Sequence, residues 1–368
     1  MMDAVVIGAG PIGLIAARAL AHRGDRVRLF DPSVEKPKMS LALAESTLQL
    51  LARLGVDDVA GQPIGEIHVS EKGVPGSALM TAESLGYPRF GRVACSHDLE
   101  AAVRKDLSVA IETERVVSVR ARGVETPPKV ILENGDVLAP DVVLLADGGR
   151  SPLTESLGFV AQKRPFDRTA LLGRVRASRP IPGRAYERFV GTGPLAMLPL
   201  SESIYGFVWS LEPLVAERLL AHPTELMAAL SSAADPALGI LEPVNEPVAI
   251  PLVERWIDQP YRPGVMIIGN GAQTIHPVAG QGLNLALRGL SRWLAALDES
   301  AVDEAMSVAF SEWKRDRDRT RLASSALERL FNIPAGWRRL GTAVGLSVFD
   351  QSPRLKRQLA EAGMGLFS

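Results

Sequence analysis

The apolar positions open with an unbroken run, Ala4-Val-Val-Ile7, then a glycine-rich turn, then alanines and leucines at helical spacing from Leu14 to His22. A short apolar run bounded by turn residues reads as a buried strand, and a 3.6-residue spacing reads as an amphipathic helix. Gly24 ends that helix, and Val27 to Phe30 form a second apolar run closing on Asp31. The first residues therefore predict a βαβ unit. Leu43 to Leu54 repeats the helical spacing. Val109 to Ala121 and Val130 to Ala139 read as short strands, with Asn134-Gly135 as a hairpin turn. Val142 to Ala146 is apolar throughout and runs into Asp147-Gly-Gly149.

From about Arg164 the pattern shortens to alternation, as in Ala196 to Leu200 and Ile204 to Trp209, with a helical stretch near Glu217 to Leu230. This predicts an inserted antiparallel sheet. At Val265 to Ile268 a buried strand returns, followed by a second glycine-rich turn, and helices dominate to the end.

Composition narrows the classes. The chain has 368 residues, a formal net charge of −1 and 46% apolar residues, so it can bury a sizeable core and shows no excess charge for nucleic acid. Its single cysteine, Cys95, excludes an internal disulfide and suits a reducing compartment. Cys95 precedes Ser96, His97 and Asp98, but neighbouring side chains point in different directions, so a buried, inert thiol is expected rather than a nucleophilic pair. His97-Asp98 is expected to cap a helix start. The chain opens directly on strand-like residues without a basic leader, and no apolar run is long enough for a bilayer, which together predict a cytoplasmic protein.

The first turn carries the chemistry. Gly8-Ala-Gly-Pro-Ile-Gly13 has the form G-x-G-x-x-G between a strand and a helix. Gly8 permits the sharp turn, Gly10 lets a pyrophosphate approach the backbone, and Gly13 lets helix and strand pack closely. Pro11 lies within this turn, and the free N–H groups of the helix N-terminus that follows favour phosphate. Asp31, ending the second strand, is the candidate acceptor for a ribose hydroxyl. These residues predict a dinucleotide site without choosing between NAD and FAD.

The second turn makes the choice. The stretch Ile268-Gly-Asn-Gly-Ala-Gln-Thr-Ile-His-Pro-Val-Ala-Gly-Gln-Gly-Leu-Asn-Leu285 resembles the FAD-dependent aromatic hydroxylases of ubiquinone biosynthesis, of the 2-polyprenyl-6-methoxyphenol hydroxylase type, within the p-hydroxybenzoate-hydroxylase-like superfamily. Ile67 to Gly73 and Gly193 to Pro199 look similar too, so the resemblance spans nearly the whole chain. It implies that Gly269 and Asn270 meet the ribityl and phosphate part of FAD. It implies that Pro277 packs beside the reactive flavin edge, and that Gly280, Gln281, Gly282, Leu283 and Asn284 form a helix N-terminus beneath the pyrimidine ring. Asp147 and Gly148 match the superfamily's Asp-Gly motif near the pyrophosphate, and the backbone of Val116 matches a position that meets adenine. His276 is the candidate acid–base group of the loop, or a packing residue in a proline turn.

The fold implied is mixed α/β: a Rossmann-like FAD-binding domain with an inserted antiparallel-sheet substrate domain and C-terminal helices. The expected boundaries are 1–163 for the FAD-binding domain, with a substrate-domain excursion near 60–95; 164–262 for the mainly antiparallel substrate domain; 263–300 for the return; and 301–368 for the helical region. The activity implied is hydroxylation of the ring of a lipid-tailed phenol through a flavin C4a-hydroperoxide, with O2 and with NAD(P)H as donor. Other ubiquinone-biosynthesis proteins are candidate partners.

Five positions depart from the wider pattern: Asp31 stands where glutamate is more usual and Asn270 where aspartate is, both mild changes, and three others matter more. Met39 and Thr154 stand where arginines are usual, and Gly289 stands where an aspartate is common. They keep open a non-catalytic FAD-binding subunit, beside a soluble-phenol hydroxylase; an ordinary NAD-dependent dehydrogenase leaves the second turn unexplained. Finally, residues 311–360 hold eleven Lys or Arg against five Asp or Glu, including Arg315, Arg317, Arg319 and Arg321. Leu330, Phe331, Ile333, Trp337, Leu340, Leu346 and Phe349 lie nearby. That pairing suits a peripheral contact with the inner face of the cytoplasmic membrane, or a solvated basic face on a packed helix.

Overall fold

A computed structural model describes residues 1–33, 39–275, 281–331, 345–346 and 348–365, and their side chains except those of Gln281 and 323–331. One six-stranded sheet runs in the order Tyr261–Arg262, Val265–Ile267, Val142–Leu145, Asp3–Ile7, Arg26–Phe30, Ile111–Glu112. All neighbours are parallel except the first pair. Strands covered on both faces must be apolar throughout, and Ala4 to Ile7 and Val142 to Leu145 are buried at every position. On one face the helix Pro11–His22 buries Leu14, Ile15, Ala16, Ala17 and Leu20, joined by Leu287, Leu290 and Trp293 of the helix Gln281–Ala296. On the other lie Phe30, Val116, Val130, Leu153 and Phe159.

The larger sheet has nine strands. Its path is Gln273–Thr274, Val248–Ile257, Ala161–Ala177, Ile204–Leu211, Gly193–Pro199, Arg184–Val190, Glu66–Glu71, Ser77–Thr81, with Leu241–Pro243 beside Ala161–Ala177. The strand Glu66–Glu71 joins parallel to Arg184–Val190, so a hairpin from early in the chain extends the late sheet. The seventeen-residue strand Ala161–Ala177 is interrupted between Pro165 and Thr169, where Asp167 has φ +49°. One face carries Leu171, Leu195, Met197, Phe207 and Trp209 under two helices, Pro213–Ala221 and Pro223–Ala233. The sequence pattern read one helix there. Pro223 divides it, because proline has no N–H to continue the ladder but is well suited to a first turn.

Two smaller expectations are corrected. The helix Ser96–Arg104 has Cys95 at its N-cap and no side-chain cap bond. Asp98 lies exposed in its first turn, where it complements the helix dipole without capping. Cys95 is partly accessible rather than buried.

The helix Val302–Phe331 packs along Gln281–Ala296. A Cβ on Gly289 would stand 3.0 Å from Trp313 Cδ1, so a close helix crossing explains why no aspartate occupies that position. The arginine run on this helix is not one outward face. Arg317 is 1% exposed, lies beside the rings of Phe310 and Trp313, and donates to Ile257 O at 2.9 Å. Arg321 stacks 3.7 Å over Trp256 and pairs with Glu254 at 2.5 Å. Arg315 and Arg319 are exposed. Leu346 is buried and Phe349 packs on a cluster with Phe90 and Met364. The side chains of Leu330, Phe331, Ile333, Trp337 and Leu340 lie outside the described residues.

Candidate cofactor site

Three glycine turns leave the carboxyl ends of three adjacent parallel strands: Gly8–Gly13 after Asp3–Ile7, Asp147–Gly149 after Val142–Leu145, and Gly269–Gly271 after Val265–Ile267. Ligands of open α/β sheets bind outside those ends. The turns touch one another through missing side chains. A Cβ on Gly8, whose φ is +104°, would meet Ala146 O at 2.6 Å, and one on Gly13 would meet Gly8 O at 1.8 Å. One on Gly271 would stand 3.2 Å from Gly149 N, and one on Gly269 3.3 Å from Ile12.

The same turns leave a space for phosphate. Nothing lies within 4 Å of where a Gly10 side chain would begin. Gly10 is the N-cap of Pro11–His22, with no side-chain cap and no acidic residue in the first turn. The helix N-terminus therefore keeps its N–H groups and its partial positive charge for an anion. The residues present fit the diphosphate of a dinucleotide.

Carboxylates organise the rim. Asp31 accepts from Ala9 N at 2.6 Å and from Ser33 N at 2.9 Å, and also binds Ser33 Oγ. It thus ties the end of its strand to the glycine turn. Asp147 accepts from Gly149 N at 2.8 Å and Ser151 N at 3.1 Å, and binds Ser151 Oγ, while Gly148 and Gly149 take φ of +72° and +71°. Val116 buries its side chain beside Ile7 and Phe30, and pairs with Leu132 in the neighbouring strand.

Around the second turn, Asn270 is exposed, and its carbonyl and that of Gly271 accept from Arg255 at 3.4 and 2.8 Å. Gln273 is 2% exposed, and neither amide atom has a partner among the described residues. Buried amides are normally bonded, and Gln273, inside the second motif, is an unpartnered polar group that sequence reasoning did not single out. Gly282 opens on space free of heavy atoms within 4 Å, and Leu283 is half-buried against the first core. Asn284, 2% exposed, turns away from the helix start: its Oδ1 accepts from Ala44 N and Thr47 Oγ1, both at 2.9 Å, and its Nδ2 donates to Ala42 O at 2.8 Å. The strand Ser40–Ala44 is thereby fastened to the helix carrying Gly282. His276, Pro277 and Gly280, and the side chain of Gln281, lie outside the described residues. Met39 is 48% exposed beside Ser96, whose hydroxyl accepts from Met39 N at 3.1 Å, while Thr154 is buried.

Known proteins match throughout. Ubiquinone hydroxylase UbiL of Rhodospirillum rubrum is 28% identical over 393 residues, covering 99% of this chain and 89% of that one. The 3-demethoxyubiquinol 3-hydroxylase of Escherichia coli is 23% identical, covering 99% and 98%. Among solved structures, p-nitrophenol 4-monooxygenase PnpA of Pseudomonas putida superposes with a TM-score of 0.79 at 16% identity, covering 99% and 98%. Klebsiella pneumoniae HpxO, complexed with FAD and uric acid, superposes with a TM-score of 0.78 at 18% identity, covering 99% and 97%. The FAD binding domain family profile matches residues 1–319, and with its three converging glycine turns this chain belongs to that family.

Proposed function

We propose that this chain is an FAD-dependent monooxygenase that hydroxylates the aromatic ring of a polyprenylated phenol in ubiquinone biosynthesis, with O2 as oxygen source and NAD(P)H as donor. The observation that carries the reading is the convergence of the Gly8–Gly13, Asp147–Gly149 and Gly269–Gly271 turns at one sheet end. Bound FAD supplies the redox chemistry and the activation of oxygen. The chain's own work is to hold the diphosphate at Gly10 and the helix start at Pro11, and to keep Gly269 and Asn270 against the ribityl side. The N–H groups of Gly282 and Leu283, at a helix N-terminus, favour negative charge beside them. Pro277 and His276 are assigned to the reacting edge. In this division 1–163 and 263–300 hold the cofactor, 164–262 with the excursion near 60–95 holds the phenol, and 301–368 is the C-terminal helical region.

The test uses purified protein carrying FAD. Addition of a prenylated phenol is expected to stimulate NAD(P)H oxidation severalfold and to give hydroxylated product, identified by mass spectrometry, in proportion. A yellow protein with no phenol-dependent product under any donor would support the non-catalytic subunit instead.

A polyprenyl tail is nearly insoluble, so the substrate must arrive from a lipid or protein surface. No described helix is long and apolar enough to cross a membrane. The contact proposed is peripheral, through exposed cations such as Arg315 and Arg319 and the segment beyond Phe331. Each cation near an anionic leaflet contributes about 1 kcal/mol. The full chain is expected to float with anionic liposomes at low salt and to be released at high salt, and a chain ending before Phe331 to float less. Failure of both to float at low salt refutes direct lipid contact and leaves delivery by a protein.

A further inference from the structure

The face of the large sheet turned away from the Pro213–Ala221 and Pro223–Ala233 helices carries a glutamate, Glu187, whose Oε1 has no partner among the described residues. Directly opposed residues on neighbouring strands point to the same side. Glu187 is opposed by Val69 on one strand and Ala196 on the other. Ala196 is opposed by Val208, Val208 by Leu172, and Leu172 by Val248. Its chain neighbours point the opposite way: Arg188 bonds Asp235, and Tyr186 lies in the helix-covered core. From Glu187 an apolar row therefore runs through Ala196, Val208 and Leu172 to Val248, while Val69 and Ala78 continue it on the other side. Leu172 and Val208 are half-buried, and Val248, 55% exposed, brings the row to the surface. The row spans four strand spacings, about 19 Å.

The neighbouring row on this face leads to the cofactor. It contains Ile67, Ala185, Leu198 and Gly206. A Cβ on Gly206 would stand 3.8 Å from Ser40 Oγ. Ser40 begins the strand that Asn284 fastens to the helix carrying Gly282. The sheet face bearing Glu187 and the helix start assigned to the flavin are thus joined through one short strand.

Glu187 itself is hemmed in by protein while keeping some accessible surface, and its Oε1 has neither accessible surface nor a partner among the described residues. Leaving a buried carboxyl unpaired is unfavourable. Burial alone pushes its carboxyl up to about 8. Among the described residues, the ionisable groups on segments packed against this face are Glu71, Arg174 and Arg176 of the same sheet, Arg92, Arg89 and Glu45 of the adjoining strands, and Tyr87, Arg357, Glu361 and the paired Asp350 and Lys356. Arg89 pairs with Glu45, Tyr87 donates to Glu361 at 2.9 Å, and Arg92 and Arg357 donate to backbone carbonyls. None of them offsets the burial of Glu187.

We propose that Glu187 receives the phenol hydroxyl of the substrate, with Ala196, Val208, Leu172 and Val248 as the bed for its hydrocarbon tail. This assignment rests on the phenol reading above. A carboxylate at Glu187 accepts the phenol proton: the O–H bond breaks, its electron pair stays on the phenol oxygen, and the proton moves to Oε. The ring becomes more electron-rich, which electrophilic hydroxylation requires, and the proton returns to the product's oxygen. A phenol titrating near 10 and a carboxyl near 8 are close enough for this exchange.

The test titrates the FAD-loaded protein with 2-geranylphenol and with its methyl ether, 2-geranylanisole, following the flavin absorbance between about pH 6 and 10. Above about pH 8, where Glu187 is ionised, the parent is expected to prefer the phenol at least tenfold, as a bond to a charged acceptor implies. That preference should rise as pH passes about 8. Glu187→Leu should lose the preference. Glu187→Gln, of equal size, should keep a hydrogen bond but lose the pH dependence, and it decides the matter if the leucine variant fails to hold FAD. Either variant keeping both the preference and its pH dependence overturns the assignment, as does a parent that binds phenol and ether equally. A parent that discriminates through Glu187 yet forms no hydroxylated product refutes the hydroxylase reading and leaves the assignment standing.

Discussion

Replacing Gly10 with valine is expected to give a folded protein that has lost its yellow colour. Gly10 has φ −72° and ψ 179°, open to any residue, and no atom lies within 4 Å of a Cβ there. The chain therefore accepts the side chain without strain. The dinucleotide does not, because the valine methyls fill the space in which a diphosphate approaches the helix start. FAD content, measured by absorbance after denaturation, should fall at least tenfold, while thermal unfolding should match that of the FAD-stripped parent. Gly13→Ala is the contrasting variant. Its Cβ would stand 1.8 Å from Gly8 O, a backbone atom that cannot swing aside. The turn must deform, and a loss of about 4 kcal/mol or more is expected, the range reached by forced overpacking and backbone strain together. Valine at position 10 with stoichiometric FAD would place the diphosphate elsewhere.

Glu187→Gln is expected to stabilise the protein, and increasingly so as pH rises. The carboxyl is pushed from its ordinary value of 4.5 up to about 8 by burial. Its folded-state pKa thus lies above its unfolded value. The protonated group contributes full stability below about pH 4.5, and that contribution is lost as pH rises to about 8. Within this window the slope approaches about 1.4 kcal/mol per pH unit. Glutamine does not titrate, so its advantage over the parent should be absent near pH 4 and largest above pH 8. Denaturant unfolding of both proteins across this range measures it directly. Parallel stability curves would mean that the carboxyl is paired or well solvated, and that the apolar row does not enclose it.

These predictions draw on two kinds of information. The Gly8, Gly10 and Gly13 pattern was legible in the sequence because its physical demands are local: a turn, a helix start and a close crossing all fall within a few residues. The strands Asp3–Ile7 and Val142–Leu145 were legible for a similar reason, since burial on both faces leaves an unbroken apolar run. The second turn, Gly269 to Asn284, carried the resemblance to FAD-dependent hydroxylases.

Elsewhere the pattern was ambiguous or silent. Alternation announced short strands, but not that Ala161–Ala177 is one long strand carrying three neighbours. It gave no hint that Glu66–Glu71 pairs with Arg184–Val190, because strand partners far apart in sequence leave no local mark. The arginines between 315 and 321 read as a basic face; packing buries Arg317 beside aromatic rings and clasps Arg321 to Glu254. Asn284 matched a cofactor motif, and the fold gives its side chain to Ala42, Ala44 and Thr47, some 240 residues away. Glu187 is an ordinary strand residue in sequence, and only the strand register shows it set within a row of apolar residues. By itself, then, the sequence determined the cofactor half, where backbone geometry dictates residue type at fixed short spacing. Tertiary structure alone decided which polar side chains are consumed in packing and which are left for a substrate, because that depends on partners brought together from distant parts of the chain.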